Sequence, residues 1–154
     1  MATSFQGTEE ANLLSTALEA DTGDNIAITV TDNAVATGLG EDDTIVLGED
    51  VTEFTASGGT GNDTVLVSGL ATNADIQGNR GDDTIRATGG ISSSSLKGGE
   101  QSDTIYLSGS LDVASVFGGS GNDSLFYVDD TGSISNSLFQ SGSGNNSFSV
   151  TAQG

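Results

Sequence analysis

The sequence predicts an all-β protein, a parallel β-solenoid (β-helix or β-roll) of about six 20-residue coils with an N-terminal capping segment. Three observations predict it. First, a Gly-rich turn closing on Asp-Thr or Asp-Ser returns every twenty residues, at 38–45, 58–65, 78–85, 98–105 and 118–125. A fixed period of that length is the signature of a repeat architecture. Second, each turn is followed by apolar residues at period two: Ile45 and Leu47, Val65 and Val67, Ile85 and Ala87, Ile105 and Leu107, Leu125 and Tyr127. That spacing points one set inward along a strand. Third, the 154 residues are only 34% hydrophobic and include 23 glycines. This is lean for a conventional globule. A narrow core shared between stacked coils needs less apolar carbon, and the kept register argues against disorder.

Taken in order, residues 1–19 do not fit the repeat. Thr8 is a candidate N-cap, Glu9 and Glu10 suit a first helical turn, and Leu13, Leu14, Ala17 and Leu18 share a face at helical spacing. The segment is expected to cap the open end of the stack or to dock a partner, and capping is the general need of a solenoid. The solenoid proper is placed at 20–140. It begins weakly, with alternation from Ile26 to Val30 reading as a strand. A second, softer apolar set lies about ten residues past each Asp: Val51 and Ala56, Leu70 and Ile76, Ile91 and Leu96, Leu111 and Val116. Each coil therefore reads as strand, turn, strand, turn, and twenty residues admit a flat roll or a three-sided helix. Residues 141–154 are expected to form a terminal capping coil. Its turn arrives three residues late, with an insertion near residues 128–132, and Asn146 stands where Asp is expected.

The charge restricts the partners. The chain has 22 acidic and 3 basic residues, a net charge of −19. Arg80, Arg86 and Lys97 are too few to hold a phosphate backbone, so nucleic acid is not an expected partner. An anionic membrane surface is disfavoured for the same reason, and no apolar run is long enough for a spanning helix. The start of the chain has neither a basic nor an apolar leader region, so no cleaved signal peptide is expected. There is no His or Cys and one Lys. Pairs such as Asp42/Asp43 and Asp82/Asp83 repeat as turn elements, whereas active sites tend to break a regular pattern. Ser92–Ser95 has no accompanying base. The chain is therefore expected not to be an enzyme.

The turns carry glycines, which tolerate positive φ and close approach, together with a carboxylate. Exposed carbonyls and carboxylates from stacked turns would suit a hard cation. Residues 58–66 and 118–126 satisfy G-G-x-G-x-D-x-U-x at every specified position. The feature resembles the RTX (haemolysin-type) calcium-binding repeat. The resemblance implies Ca²⁺ as a ligand. It places the metal-binding residues at Asp43, Asp63, Asp83, Asp103 and Asp123, with Gly58, Gly61, Gly78, Gly81, Gly118 and Gly121 shaping the turns. The departures are that only one turn per coil carries the motif, that Gln101-Ser102 interrupts it, and that Asn146 removes the last carboxylate. At most one row of ions is implied. The alternative is metal-free: Asp and Asn capping their own turns, with Thr and Ser ladders between coils.

Two settings follow as expectations. The first is a structural solenoid on a virion or other extracellular surface, such as a phage capsid decoration or fibre-like protein, with protein partners and a homo-oligomeric state. The second is a calcium-dependent RTX-type module of a secreted bacterial protein.

Overall fold

The computed structural model describes residues 2–5, 25–28, 35–129 and 131–152. The described chain is all-β, with every strand pairing parallel to its equivalent in the next coil. The first two strands, β1 (Ala2–Phe5) and β2 (Asn25–Ile28), pair with each other. The helix expected within residues 8–18 lies outside the described residues.

The regular coil has three strands, not two. In the first full repeat these are β3 (Val35–Gly40), β4 (Thr44–Leu47) and β5 (Val51–Thr52). The pattern of six, four and two residues returns as β6 (Thr55–Thr60), β7 (Thr64–Val67) and β8 (Ala71–Thr72). It continues as β9 (Asp75–Arg80), β10 (Thr84–Ala87) and β11 (Ile91–Ser92), then β12 (Ser95–Glu100), β13 (Thr104–Leu107) and β14 (Leu111–Asp112). The last are β15 (Ser115–Ser120), β16 (Ser124–Asp129), β17 (Ile134–Ser135), β18 (Leu138–Ser143) and β19 (Ser147–Ala152). They stack into sheets of eight, five and six strands, one along each side of a three-sided solenoid of about six coils. The expected strand–turn–strand–turn coil is corrected by the two-residue third strand, which is too short to show a period of its own.

From β3 onward partners between successive regular coils are twenty residues apart, as in Thr64↔Thr84↔Thr104, whereas Asn25↔Thr44 are 19 apart and Ala2↔Asn25 are 23 apart. At the last coil the spacing becomes 23, with Leu111↔Ile134 and Leu125↔Phe148. The three extra residues are absorbed where β16 runs on to Asp129 and loops to β17, at the insertion the sequence places there.

The core is a set of axial rows. Ile45/Val65/Ile85/Ile105/Leu125 and Leu47/Val67/Ala87/Leu107/Tyr127 line one sheet, all buried. Val51/Ala71/Ile91/Leu111 lines the second, and Ala36/Ala56/Ile76/Leu96/Val116 the third. Leu70 departs from the sequence reading: it is exposed, and Ala71 takes the inward place. The rows compensate one another in volume. Phe54 sits beside Ala56 in its coil, whereas Ala74 and Ser94 accompany the larger Ile76 and Leu96. Close packing requires such pairing of large with small.

Candidate functional site: a buried aspartate ladder

The alternation that buries Ile45 and Leu47 also reaches backward, past the half-buried Thr44 to Asp43. Each motif aspartate therefore points into the solenoid rather than out of the turn. Asp43, Asp63, Asp83, Asp103 and Asp123 are only 1–2% exposed.

One oxygen of each carboxylate is used by the backbone. The Asp43 N–H donates to Asp63 Oδ1 (2.8 Å), Asp63 N–H to Asp83 Oδ1 (2.8 Å), and Asp83 N–H to Asp103 Oδ1 (2.9 Å). Asp103 N–H donates to Asp123 Oδ1 (3.0 Å), and Asp123 N–H to Asn146 Oδ1 (2.7 Å). Asn146 thus belongs to the row, and its amide donates to the Ser141 carbonyl (3.1 Å). The second oxygens of Asp63, Asp83, Asp103 and Asp123 are buried and accept no hydrogen bond. A buried, undonated carboxylate oxygen is costly while charged.

The electrostatics follow. Burial pushes the Asp63 carboxyl up to about 6, against the lowering effect of the Asp43 N–H, with Asp83, Asp43 and Asp42 raising it further. Burial pushes Asp103 up to about 7, opposed by the Asp83 N–H and reinforced by Asp83, Asp123 and Asp82. Asp83 is raised for the same leading reason, with Asp82 and Asp42 adding to it. A row of like charges one coil apart in a dry interior favours the protonated form.

The glycines serve this row. Gly38, Gly58, Gly78, Gly98 and Gly118 are buried opposite the aspartates, and a Cβ at any of them would strike the carboxylate. Gly61, Gly81 and Gly121 have φ of +131°, +130° and +137°, and a Cβ there would strike the carbonyl of the coil below. The motif glycines are thus explained by close stacking and by room for an inward carboxyl.

A parallel outer ladder runs one residue earlier. Asn62 N–H donates to Asp42 Oδ1 (2.7 Å), Asp82 N–H to Asn62 Oδ1 (2.8 Å), Ser102 N–H to Asp82 Oδ1 (2.9 Å) and Asn145 N–H to Asn122 Oδ1 (2.9 Å). Sequence reasoning misses this ladder. Its signal is the recurrence of Asp, Asn and Ser one residue before the inner row.

Calcium needs about six to eight oxygen ligands. The inner row supplies one free oxygen per coil at the four aspartates named above, against glycine Cα. Among the described residues no three acidic, His or Cys side chains gather where they could hold a metal ion. The donor set as folded does not complete a calcium site. A proton meets the need of the Asp63, Asp83 and Asp103 carboxyls directly.

Elsewhere, an open groove of about 470 Å³ follows the corner lined by Phe54, Asn73, Asp75, Ser93, Ser95 and Ser115. Ser94 is buried, donates to the Ser92 carbonyl (2.6 Å) and accepts from Ala74 N–H (2.9 Å), so it is a structural residue. The basic residues are engaged: Arg80 with Glu100 (3.1 Å), Lys97 with Asp75 (3.6 Å), and Arg86 over the Tyr106 ring (5.1 Å). No helix among the described residues is long and apolar enough to cross a membrane. No protein-family model matches the chain, and comparison with curated proteins and with solved structures finds no match.

Proposed function

We propose that the chain is a non-enzymatic structural solenoid carried on an exterior surface, with capsid decoration or a fibre of a virion as the setting. One observation carries this reading. The aspartates that repeat through the sequence are turned inside the stack, holding coil to coil, and leave a regular, acidic rod. Rods of this kind present length and surface rather than a reaction centre. The −19 charge suits a soluble exterior facing water and salt. Density-gradient fractionation of native particles, probed with antibody to the chain, tests the proposal. Co-sedimentation with particles is the expected result, and recovery only in the particle-free fraction rejects it. A polysaccharide-degrading activity would also reject it.

The calcium-dependent secreted module is the second reading. It has one observation in its favour, the inner oxygens of Asp63, Asp83, Asp103 and Asp123 that accept no hydrogen bond. On this reading, β-structure seen by circular dichroism appears only with added calcium. Full β-structure in chelator supports the metal-free rod.

A further inference from the structure

Among the described residues, the C-terminal end of the solenoid differs from every flank of the molecule. The strands β17, β18 and β19 are each the outermost strand of their sheet, so this end shows three open backbone edges. Among the described residues, none covers the end of the core rows there. Ile134 continues the row of Leu111, Phe148 that of Leu125, and Val150 that of Tyr127. They are 41%, 50% and 51% exposed, where their counterparts one coil below are buried. Phe139, which continues the Val116 row, packs against Phe148 with ring centroids 4.9 Å apart. The end is therefore an apolar cross-section of the core, ringed by outermost strand edges.

Natural edges are blunted by Lys, Pro, bulges or inward charges. None of the 22 acidic or 3 basic residues lies beyond Asp130, and the chain has no Pro. In a chain of net charge −19, the final coil is the place where two copies can meet without like-charge repulsion. The rest of the sequence carries all of the charge, with six acidic and no basic residues in 1–34 alone. Neutral against neutral and apolar against apolar favours the same face on both partners, a closed two-fold contact.

We propose that two copies of this chain pack C-terminal end to C-terminal end, burying Ile134, Phe148 and Val150 and pairing the open edges across a two-fold axis. This rests on reading the chain as a subunit of an assembly, and it names one contact of that assembly. Its failure is separable, because a chain that is monomeric alone yet sediments with particles would reject the end contact and keep the exterior role.

Light scattering of the full chain after size exclusion tests it, from about 1 to about 100 μM, where interfaces of modest affinity associate. The expected mass is twice the 15.4 kDa of one chain. Val150→Asp and, separately, Ile134→Asp should each return the mass to one chain with an unchanged circular dichroism spectrum. Leu70→Asp, on an exposed apolar residue of the solenoid's flank, should leave the dimer intact. The chain has no Cys, so a spin label on Thr151→Cys reports this end alone, and close label pairs are expected there but not at Asn62→Cys. A wild-type monomer throughout the range overturns the proposal. So does a mass that climbs without limit, which would mean head-to-tail stacking, or a dimer that survives both end substitutions with native spectra.

Discussion

Replacing Asp103 by Asn should stabilise the protein, and more at pH 8 than at pH 5. Asp103 sits in the middle of the inner row with one oxygen accepting from Asp83 N–H and the other buried without a donor. Its carboxyl is pushed from 3.8 to about 7, first by burial and then by Asp83, Asp123 and Asp82. The sign follows from linkage. The folded state keeps a proton that the unfolded chain has released. The contribution of Asp103 to stability is whole below the unfolded value of 3.8, and it is lost as pH rises from there through about 7. Each tenfold change in proton affinity corresponds to about 1.4 kcal/mol, so the full rise sets an upper bound of about 4 kcal/mol. Water near the turn and proton sharing along the row reduce this, and about 1–2 kcal/mol is expected between pH 5 and pH 8.

Asparagine keeps the acceptor and removes the charge. The protein already contains this arrangement at the end of the row, where Asn146 accepts from Asp123 N–H and donates to the Ser141 carbonyl. The carbonyl in the equivalent place for residue 103 is that of Gly98. Urea unfolding followed by circular dichroism, at constant ionic strength across pH 5 to 8, measures the effect. Wild-type stability should fall with rising pH, and Asp103→Asn should flatten the curve. A variant that is destabilised equally at both ends of the range would refute Asp103 as a protonated carboxyl. It would point instead to a carboxylate held charged by a counter-ion.

Three other substitutions test the stacking. Gly81→Ala places a Cβ at φ +130° against the Gly61 carbonyl, and should cost about 2–4 kcal/mol in urea unfolding, whereas Gly48→Ala, with open space around it, should be near neutral. Val113 is β-branched yet has φ +54°, at the corner where Asn73 and Asn136 adopt φ +52° and +49°. Val113→Asn should raise the melting temperature, with about 1 kcal/mol gained from relief of the left-handed strain. Ile105→Ala removes a fully buried link of the core row and should cost about 2–5 kcal/mol, measured by the urea midpoint.

The period, the parallel stacking and the two strongest core rows were legible because a solenoid repeats its local physics in every coil. The turn at residues 58–65 and its copies stated the register outright. The late turn at residues 141–148 stated the three-residue insertion as plainly. The third side of the coil was not legible, since Val51–Thr52 and its equivalents are two residues long and carry no periodicity. Leu70 misled for a related reason. Its hydrophobicity suggested an inward place, but position in the corner decides orientation, and the smaller Ala71 fills the row. The direction of the aspartates had a signal in the sequence. Counting back by two along the strand, from Val65 to Asp63, from Ile85 to Asp83 or from Ile105 to Asp103, keeps the same face.

The paired polar residues at each turn have a backbone reason that their chemistry alone does not reveal. Between β6 and β7 the main-chain ladder continues through Gly61 N–H to the Arg80 carbonyl and resumes at Thr64 N–H to the Asp43 carbonyl. The two intervening N–H groups, of Asn62 and Asp63, fall outside the strands, and backbone donors shielded from water must find partners. Side chains supply them, and from opposite directions. Asp42 reaches up one coil to Asn62 N–H, while Asp83 reaches down one coil to Asp63 N–H. The outer residue therefore secures its coil to the one after it, and the inner residue secures its coil to the one before. Adjacent residues that pull in opposite axial senses fix the spacing of the turn from both sides, at the corner where the sheet hydrogen bonds lapse. The inner position must be an acceptor small enough to lie against glycine, which Asp and Asn satisfy. The outer position is exposed and accepts Asp or Asn with Ser as an interruption. Hydrogen bonding requires a charge at neither. Asn146 in the inner row is the natural instance of that rule, and it makes the ladder of acceptors the feature that the repeat preserves.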